Sequence, residues 1–175
     1  MATTYTLRCE MKVPLGLKET FAVFEDPRNL ARITPPWLNF RIVSPRVEMR
    51  PGAEIDYEIR WFGLPMKWKT IIAAYEPPFV FVDVQERGPY SFWRHTHSFR
   101  EVPGGTAVAD RVDYRLPLGP LGSIAHAVMV GAQLKAIFRY RQTALARLMG
   151  GGEETLAPRI STAEAEERLA HDGAH

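Results

Sequence analysis

One cysteine, Cys9, is all the thiol chemistry this chain carries, so a disulfide framework is excluded. A lone thiol in a strand-like segment points to a reducing compartment and to packing, since free cysteine behaves as a small buried hydrophobe. A concentrated charge of one sign is also lacking. The formal net charge is only +2 and the arginines are scattered. That argues against nucleic acid as a partner, because phosphates demand a dense basic field. Long apolar runs are missing too. The longest, Leu121 to Leu134, is broken by Ser123 and His126 and falls short of the roughly 20 residues a span needs. The opening Met1-Ala2-Thr3-Thr4 has neither the basic nor the apolar region of a signal peptide. The expectation is a cytoplasmic protein with no stable membrane insertion, and nothing in the chain fixes its oligomeric state.

What is present is ordinary for a globular chain. With 46% hydrophobic and 24% charged residues in 175, the sequence supports one folded domain without special staples. That domain is expected over residues 1–149, with residues 150–175 as a flexible tail. Thr4 to Val13 reads as a strand and Leu17 to Phe24 as a short helix. Asp26-Pro27 then caps and opens a second helix through Ile33, stopped by Pro35-Pro36.

Ala53 to Trp61 alternates cleanly, with Ile55, Tyr57, Ile59 and Trp61 on one face. Met66 to Ala74 alternates back after a two-residue Gly63-Leu64 turn, which sets Ile59 beside Trp68, Ile55 beside Ile72 and Glu58 beside Lys69. Strands over Phe79 to Glu86, Phe92 to Arg100 and Thr106 to Leu116 follow, parted by Gly88-Pro89 and Pro103-Gly104-Gly105. From Ser123 to Met149 an apolar stripe through Ile124, Val128, Leu134, Ile137, Phe138, Leu145 and Leu148 marks one long helix. Gly150-Gly151-Gly152 ends it. Ser161-Thr162-Ala163-Glu164 is a capping box ahead of a short helix over Ala165 to Ala170. The fold class is therefore α+β: a curved antiparallel β-sheet wrapped around a long C-terminal α-helix, with two short helices after the first strand.

The motifs Phe81-Val82-Asp83, Gly88-Pro89-Tyr90, Trp93-x-His95-x-His97-x-Phe99, Gly104-Gly105-Thr106 and Asp110-x-Val112-x-Tyr114-x-x-Pro117 resemble a group of small bacterial ligand-binding proteins. That group lies in the START-like (SRPBCC) superfamily, whose helix-grip fold has the same element order as residues 4–149. The resemblance implies a cavity between sheet and helix, used across the superfamily for lipids, polyketides, quinones and hormones, and it implies no metal. The superfamily also holds aromatase and cyclase enzymes, ring-hydroxylating oxygenase domains and chaperone activators, so fold alone does not name the activity. This chain has no Rieske-type cysteine and histidine spacing, which speaks against an oxygenase subunit.

A polar constellation sits on apolar faces. In Phe92 to Arg100 the inward positions are Trp93, His95, His97 and Phe99, and in Thr106 to Leu116 the apolar face of Val108, Val112, Tyr114 and Leu116 includes Asp110. A turn centred on Pro103-Gly104 pairs Phe99 with Val108, His97 with Asp110 and Trp93 with Tyr114. A turn centred on Pro89 sets Asp83 beside His95, and Phe81, Asp83 and Gln85 share the face of Ile72 and Trp68. Four readings of these histidines stay open.

In the first, the carboxylates simply satisfy the imidazoles in the wall. In the second, they recognise the oxygen-bearing end of a hydrophobic small molecule, held by a carrier or sensor. Its binding surface would comprise Tyr57, Ile59, Trp61, Trp68, Thr70, Ile72, Phe81, Asp83, Gln85, Trp93, His95, His97, Phe99, Asp110, Val112 and Tyr114, with Leu134 and Phe138 from the helix. In the third, a cyclase or dehydratase uses His95, His97, Asp110 and Asp83 for acid–base work, though no nucleophile or oxyanion donor set is visible. In the fourth, His-x-His places two rings on one face about 7 Å apart at the α-carbons and Asp110 completes a metal site. Each histidine already has a carboxylate neighbour, so no metal and no cofactor is expected. His126 and Gln133 face either cavity or solvent. Arg139, Arg141 and Arg147 read as solvated charges favoured by the helix dipole. The Trp37 loop reads equally as a lid or an interaction patch.

Overall fold

The computed structural model describes residues 3–117, 121, 124 and 129–162. Period-two alternation produces strands β1 (Tyr5–Val13), β2 (Arg41–Ile42), β3 (Glu54–Trp61), β4 (Leu64–Glu76), β5 (Val80–Arg87), β6 (Phe92–Val102), β7 (Gly105–Arg115) and β8 (Glu153–Thr162). They form one antiparallel sheet of order β2-β3-β4-β5-β6-β7-β1-β8. Helices α1 (Leu17–Glu25) and α2 (Pro27–Ile33) and a 3₁₀ turn (Pro36–Leu38) follow β1, and the long helix α3 (Gly131–Leu148) precedes β8. Asp26 starts α2 by accepting the Arg28 backbone N–H at 2.9 Å, with Pro27 in the first turn.

The helix stripe and the inward strand positions bury each other. Leu134 and Phe138 of α3 pack with Leu7, Val112 and Tyr114, while Leu145 joins Val13, Phe21, Phe99 and Val108. Each large apolar side chain so buried contributes roughly 1.5–3 kcal/mol. Among the described residues no helix is long and apolar enough to cross a membrane.

The pairings expected around the histidines are present: Phe99 with Val108, His97 with Asp110, Trp93 with Tyr114, and Asp83 with His95. The β3–β4 hairpin differs by two residues. Its turn is Phe62-Gly63, with φ of 48° and 79°, so Tyr57 pairs with Trp68, Ile59 with Met66 and Glu58 with Lys67. Positive φ at both central residues matches the twist of the flanking strands, and Gly63 serves as the second central residue rather than the first. An even shift keeps every side chain on its expected face.

The chain after α3 also departs from expectation. Instead of beginning a flexible tail, it turns at Gly150 and Gly151, with φ of 81° and 115°, and β8 pairs along β1 from Lys12–Glu153 to Tyr5–Thr162. The physical reason is that β1 would otherwise be an open sheet edge. Gln142 of α3 ties the new strand down, donating from Nε2 to the carbonyls of Glu10 at 3.2 Å and Leu156 at 3.1 Å. Ile124, expected on the buried stripe, is exposed. The expected cap Ser123, the residues His126 and Val128, and the helix over 165–170 lie outside the described residues.

Candidate functional site

Between the inner sheet face, α1–α2 and α3 lies a cavity of about 210 Å³. One end is aromatic. Tyr57 stacks on Trp68 with ring centroids 5.8 Å apart, and Trp68 meets Trp93 edge-on at 5.4 Å. The polar atoms of this wall satisfy one another: Trp68 Nε1 donates to Thr70 Oγ1 at 3.0 Å, and the Tyr57 hydroxyl meets the same oxygen at 3.0 Å. Burial, aided by the Asp83 charge and only partly offset by the Thr70 hydrogen bond, raises the Tyr57 phenol well above its ordinary value. This end therefore offers neutral, largely apolar surface.

The other end is charged. Strands β5, β6 and β7 present Asp83, His95 with His97, and Asp110 side by side, because registered antiparallel partners share a face. His95 Nε2 hydrogen-bonds Asp110 Oδ1 at 2.9 Å, and His97 Nε2 hydrogen-bonds Asp83 Oδ2 at 3.1 Å. The remaining nitrogens cross over: His97 Nδ1 lies 2.8 Å from Asp110 Oδ1, and His95 Nδ1 lies 3.6 Å from Asp83 Oδ2. Phe81 stacks on His97 at 4.1 Å and Phe24 covers it edge-on. From α3, Arg141 places Nε 3.6 Å from Asp110 Oδ2 and its guanidinium 5.3 Å over the Phe24 ring. Cys9 is buried, as packing required, and its thiol also approaches Asp110 Oδ2 at 3.9 Å.

Electrostatics divides the two histidines. Burial depresses the His95 imidazole, the neighbouring His97 adds to that, and the two carboxylates only partly offset it, so its titration falls below the ordinary value. Burial also acts on His97, but hydrogen bonds to Asp110 and Asp83 outweigh it and raise the imidazole. Burial alone would push both carboxyls up. For Asp110 the Arg141 charge and the two histidines hold it well below the usual range, and for Asp83 the His97 hydrogen bond and the His95 charge do the same more mildly. With ring centroids 3.7 Å apart the two imidazoles act on each other, and the charged form is favoured at His97 over His95.

Of the binding surface expected from sequence, Tyr57, Ile59, Trp61, Trp68, Thr70, Ile72, Phe81, Asp83, Trp93, His95, His97, Leu134 and Phe138 border the cavity. Gln85, Phe99, Asp110, Val112 and Tyr114 are not among its lining residues. Gln85 instead secures the β5–β6 turn, donating to the Tyr90 carbonyl at 2.7 Å and accepting its N–H at 3.3 Å. Phe99 packs on Phe21 and Phe24, Val112 and Tyr114 are fully buried in the core, and Asp110 stands behind the histidines. Gln133 does not border the cavity either.

Sequence reasoning missed the wall supplied by α1, α2 and the following segment, including Phe24, Leu30, Ile33, Leu38 and Phe40, and it missed Tyr90. Arg141 is a correction. It was expected in solvent, yet it is only 8% exposed and borders the cavity. The missed signal is spacing: Leu134, Phe138, Arg141 and Leu145 fall on one helical face. Trp37 stays half exposed, edge-on to Tyr140 at 5.7 Å, while Thr34 and Leu38 beside it border the cavity. Asp83, His95 and His97 each offer one metal-ligating atom, all within 4.8 Å of one another; the third donor is Asp83, not the Asp110 considered from sequence.

Residues 13–146 match the family model described as polyketide cyclase / dehydrase and lipid transport. None of the curated proteins matches the chain. Among solved structures, protein CV1439 from Chromobacterium violaceum is similar with a TM-score of 0.65 at 15% identity, covering 82% of this chain and 96% of that one. TTHA0849 from Thermus thermophilus gives 0.62 at 17% identity, covering 80% and 93%. Ara h 8.0201 gives 0.55 at 14% identity, covering 81% and 97%. At such identities these likenesses establish the helix-grip fold and nothing finer.

Proposed function

Because the chain belongs to the polyketide cyclase / dehydrase and lipid transport family, we propose that it binds a compact, largely apolar small molecule with an oxygen-bearing end, as a carrier or sensor. The observation that carries this reading is the division of one cavity into an aromatic end and a charged end, with Asp83 keeping 17% of its side chain exposed. The aromatic wall supplies affinity by burying apolar area, and the Asp83–His97 pair supplies orientation by hydrogen bonding. Size narrows the class. A cavity of roughly 150 Å³ admits benzene and drug-sized ligands fill roughly 300–1,000 Å³. At about 210 Å³ this one suits one or two fused rings better than a long acyl chain.

The test is a tryptophan-fluorescence titration with simple naphthoquinones, phenols and fatty acids, alongside mass spectrometry of molecules released on denaturation. Saturable quenching by the ring compounds, weakened in Trp68→Phe and Trp93→Phe, is expected. No saturable binding across the panel, or a preference for long acyl chains, would overturn the reading.

A second reading, acid–base catalysis of the cyclase or dehydratase kind, is favoured by one observation: the cavity-facing carboxylate of Asp83 is hydrogen-bonded to the His97 imidazole at 3.1 Å. Product analysis over a polyketide-like aromatic panel separates the two. In an enzyme, His97→Gln lowers turnover by about 10²–10⁴-fold while binding persists. In a carrier, no product forms with either chain.

A further inference from the structure

The four charged and imidazole side chains of the sheet lie in two layers. At the back, the single oxygen Asp110 Oδ1 sits 2.9 Å from His95 Nε2 and 2.8 Å from His97 Nδ1. One ring nitrogen of each histidine is thereby committed to Asp110. The other two, His95 Nδ1 and His97 Nε2, point the opposite way and converge on Asp83 Oδ2 at 3.6 Å and 3.1 Å. We propose that Asp83 Oδ2, His95 Nδ1 and His97 Nε2 form a binding site for a divalent first-row transition ion, with its open coordination positions facing the cavity.

Three independent features support this. The first is spacing. Metal–donor bonds of about 2.0–2.2 Å place neighbouring donors about 3.0–3.5 Å apart, which the two distances to Asp83 nearly match. The second is the layer behind. Histidine ligands usually donate their other ring N–H to a carboxylate that fixes tautomer and ring angle, and Asp110 stands where both rings need it. The third is charge: with both imidazoles neutral, as metal ligands must be, the cluster sets the carboxylates of Asp83 and Asp110 against the single guanidinium of Arg141, a net negative charge that a cation offsets.

Arg141 itself touches the back layer, with Nε at 3.6 Å from Asp110 Oδ2 and Nη2 at 3.5 Å from His97 Nδ1, leaving the Asp83 side to the ion. Two nitrogens and one carboxylate oxygen with open positions suit zinc, ferrous iron or cobalt rather than calcium or magnesium. The site goes beyond the small-molecule reading and stands or falls without it.

The test is a titration of chelator-stripped full-length chain with Co²⁺, read by visible absorption and followed by competition with Zn²⁺. One equivalent of Co²⁺ per chain should bind with a nitrogen–oxygen ligand spectrum and be displaced by Zn²⁺. Asp83→Asn and His97→Gln should each weaken binding by at least about tenfold, and Asp110→Asn by about 10–100-fold. Metal-free melting curves establish which variants fold. If His97→Gln does not, the near-isosteric Asp83→Asn decides. His126, His171 and His175, all outside the described residues, are changed together to Ala as a control and should leave binding intact. Absence of a stoichiometric signal, a signal that survives both Asp83→Asn and His97→Gln, or one that vanishes in the triple-histidine control would overturn the proposal.

Discussion

The two ends of the cavity are built on opposite physical terms. At the aromatic end, Tyr57, Trp61, Trp68, Tyr90 and Trp93 hold one another through stacked and edge-on contacts at 4.7–6.2 Å. Such contacts are numerous, individually weak and forgiving of small shifts. At the charged end, Asp83, His95, His97, Asp110 and Arg141 depend on a few directional contacts between groups that water would otherwise solvate. The difference teaches that one end tolerates variation in its packing, while the other is all-or-none.

The sharpest way to break this contrast is Asp110→Ala. It removes the carboxylate that the buried Arg141 guanidinium and both imidazoles face, and a loss of about 3–5 kcal/mol is expected from urea denaturation. A loss below about 1 kcal/mol would mean that the charged end is no less forgiving than the aromatic one.

Next comes the pH profile of the metal-free chain. His97 titrates above its unfolded value, so the stability it adds is complete below that value and fades as pH rises through its folded one. His95 titrates below its unfolded value, so stability declines as pH falls below the ordinary imidazole value. Asp83 and Asp110, held low with help from Arg141, add a further loss as the medium becomes strongly acidic. Melting temperature measured in a chelating buffer should therefore peak near pH ~6.5, the ordinary imidazole value. His97→Gln should flatten the alkaline limb and also soften the acid one, because it removes a neighbour that helps depress His95; a curve unchanged by it would detach His97 from that titration.

Smaller effects belong to the other end. Trp68→Phe removes one hydrogen bond to Thr70 and part of a ring, for about 1 kcal/mol. A much larger cost in the same denaturation assay would show that the aromatic wall is as brittle as the charged one. The baseline is Arg41→Ala, which breaks the solvent-exposed Arg41–Glu58 pair, neither member of which borders the cavity, and should cost about 0–1 kcal/mol.

The legible parts of the fold were those where parity decides. On β6 and β7 the side chains alternate without interruption and the turn is two residues long, so the faces of His95, His97 and Asp110 followed from counting. On β3–β4 the faces also followed, but the pairing slipped by two because Phe62 accepts a positive φ that was assigned to Gly63 alone at the front of the turn. Arg141 was misread because its charge outweighed its place on the helix stripe, and the compensating Asp110 lies on a strand remote in sequence. The strand β8 was hidden by its opening glycines and by Pro158, which an edge strand tolerates and a central one does not. Helix faces that close a cavity, such as those of Phe24 and Leu30, show the same periodicity as any packed face, and only the three-dimensional arrangement distinguishes them.

The way α3 is fastened also bears on how a molecule gets in. Arg141 and Gln142 pin this helix to the sheet by contacts that a slide or a roll would break one by one. Among the described residues α2 makes no hydrogen bond to the sheet or to α3; its ties run to α1, as from Asn29 Nδ2 to the Val23 carbonyl at 2.9 Å. Without the directional contacts that fasten α3 to the sheet, α2 is the more readily displaced of the two. Any route into the cavity past α2 and the Trp37 segment runs beside α3, whose Tyr140 meets Trp37 edge-on at 5.7 Å.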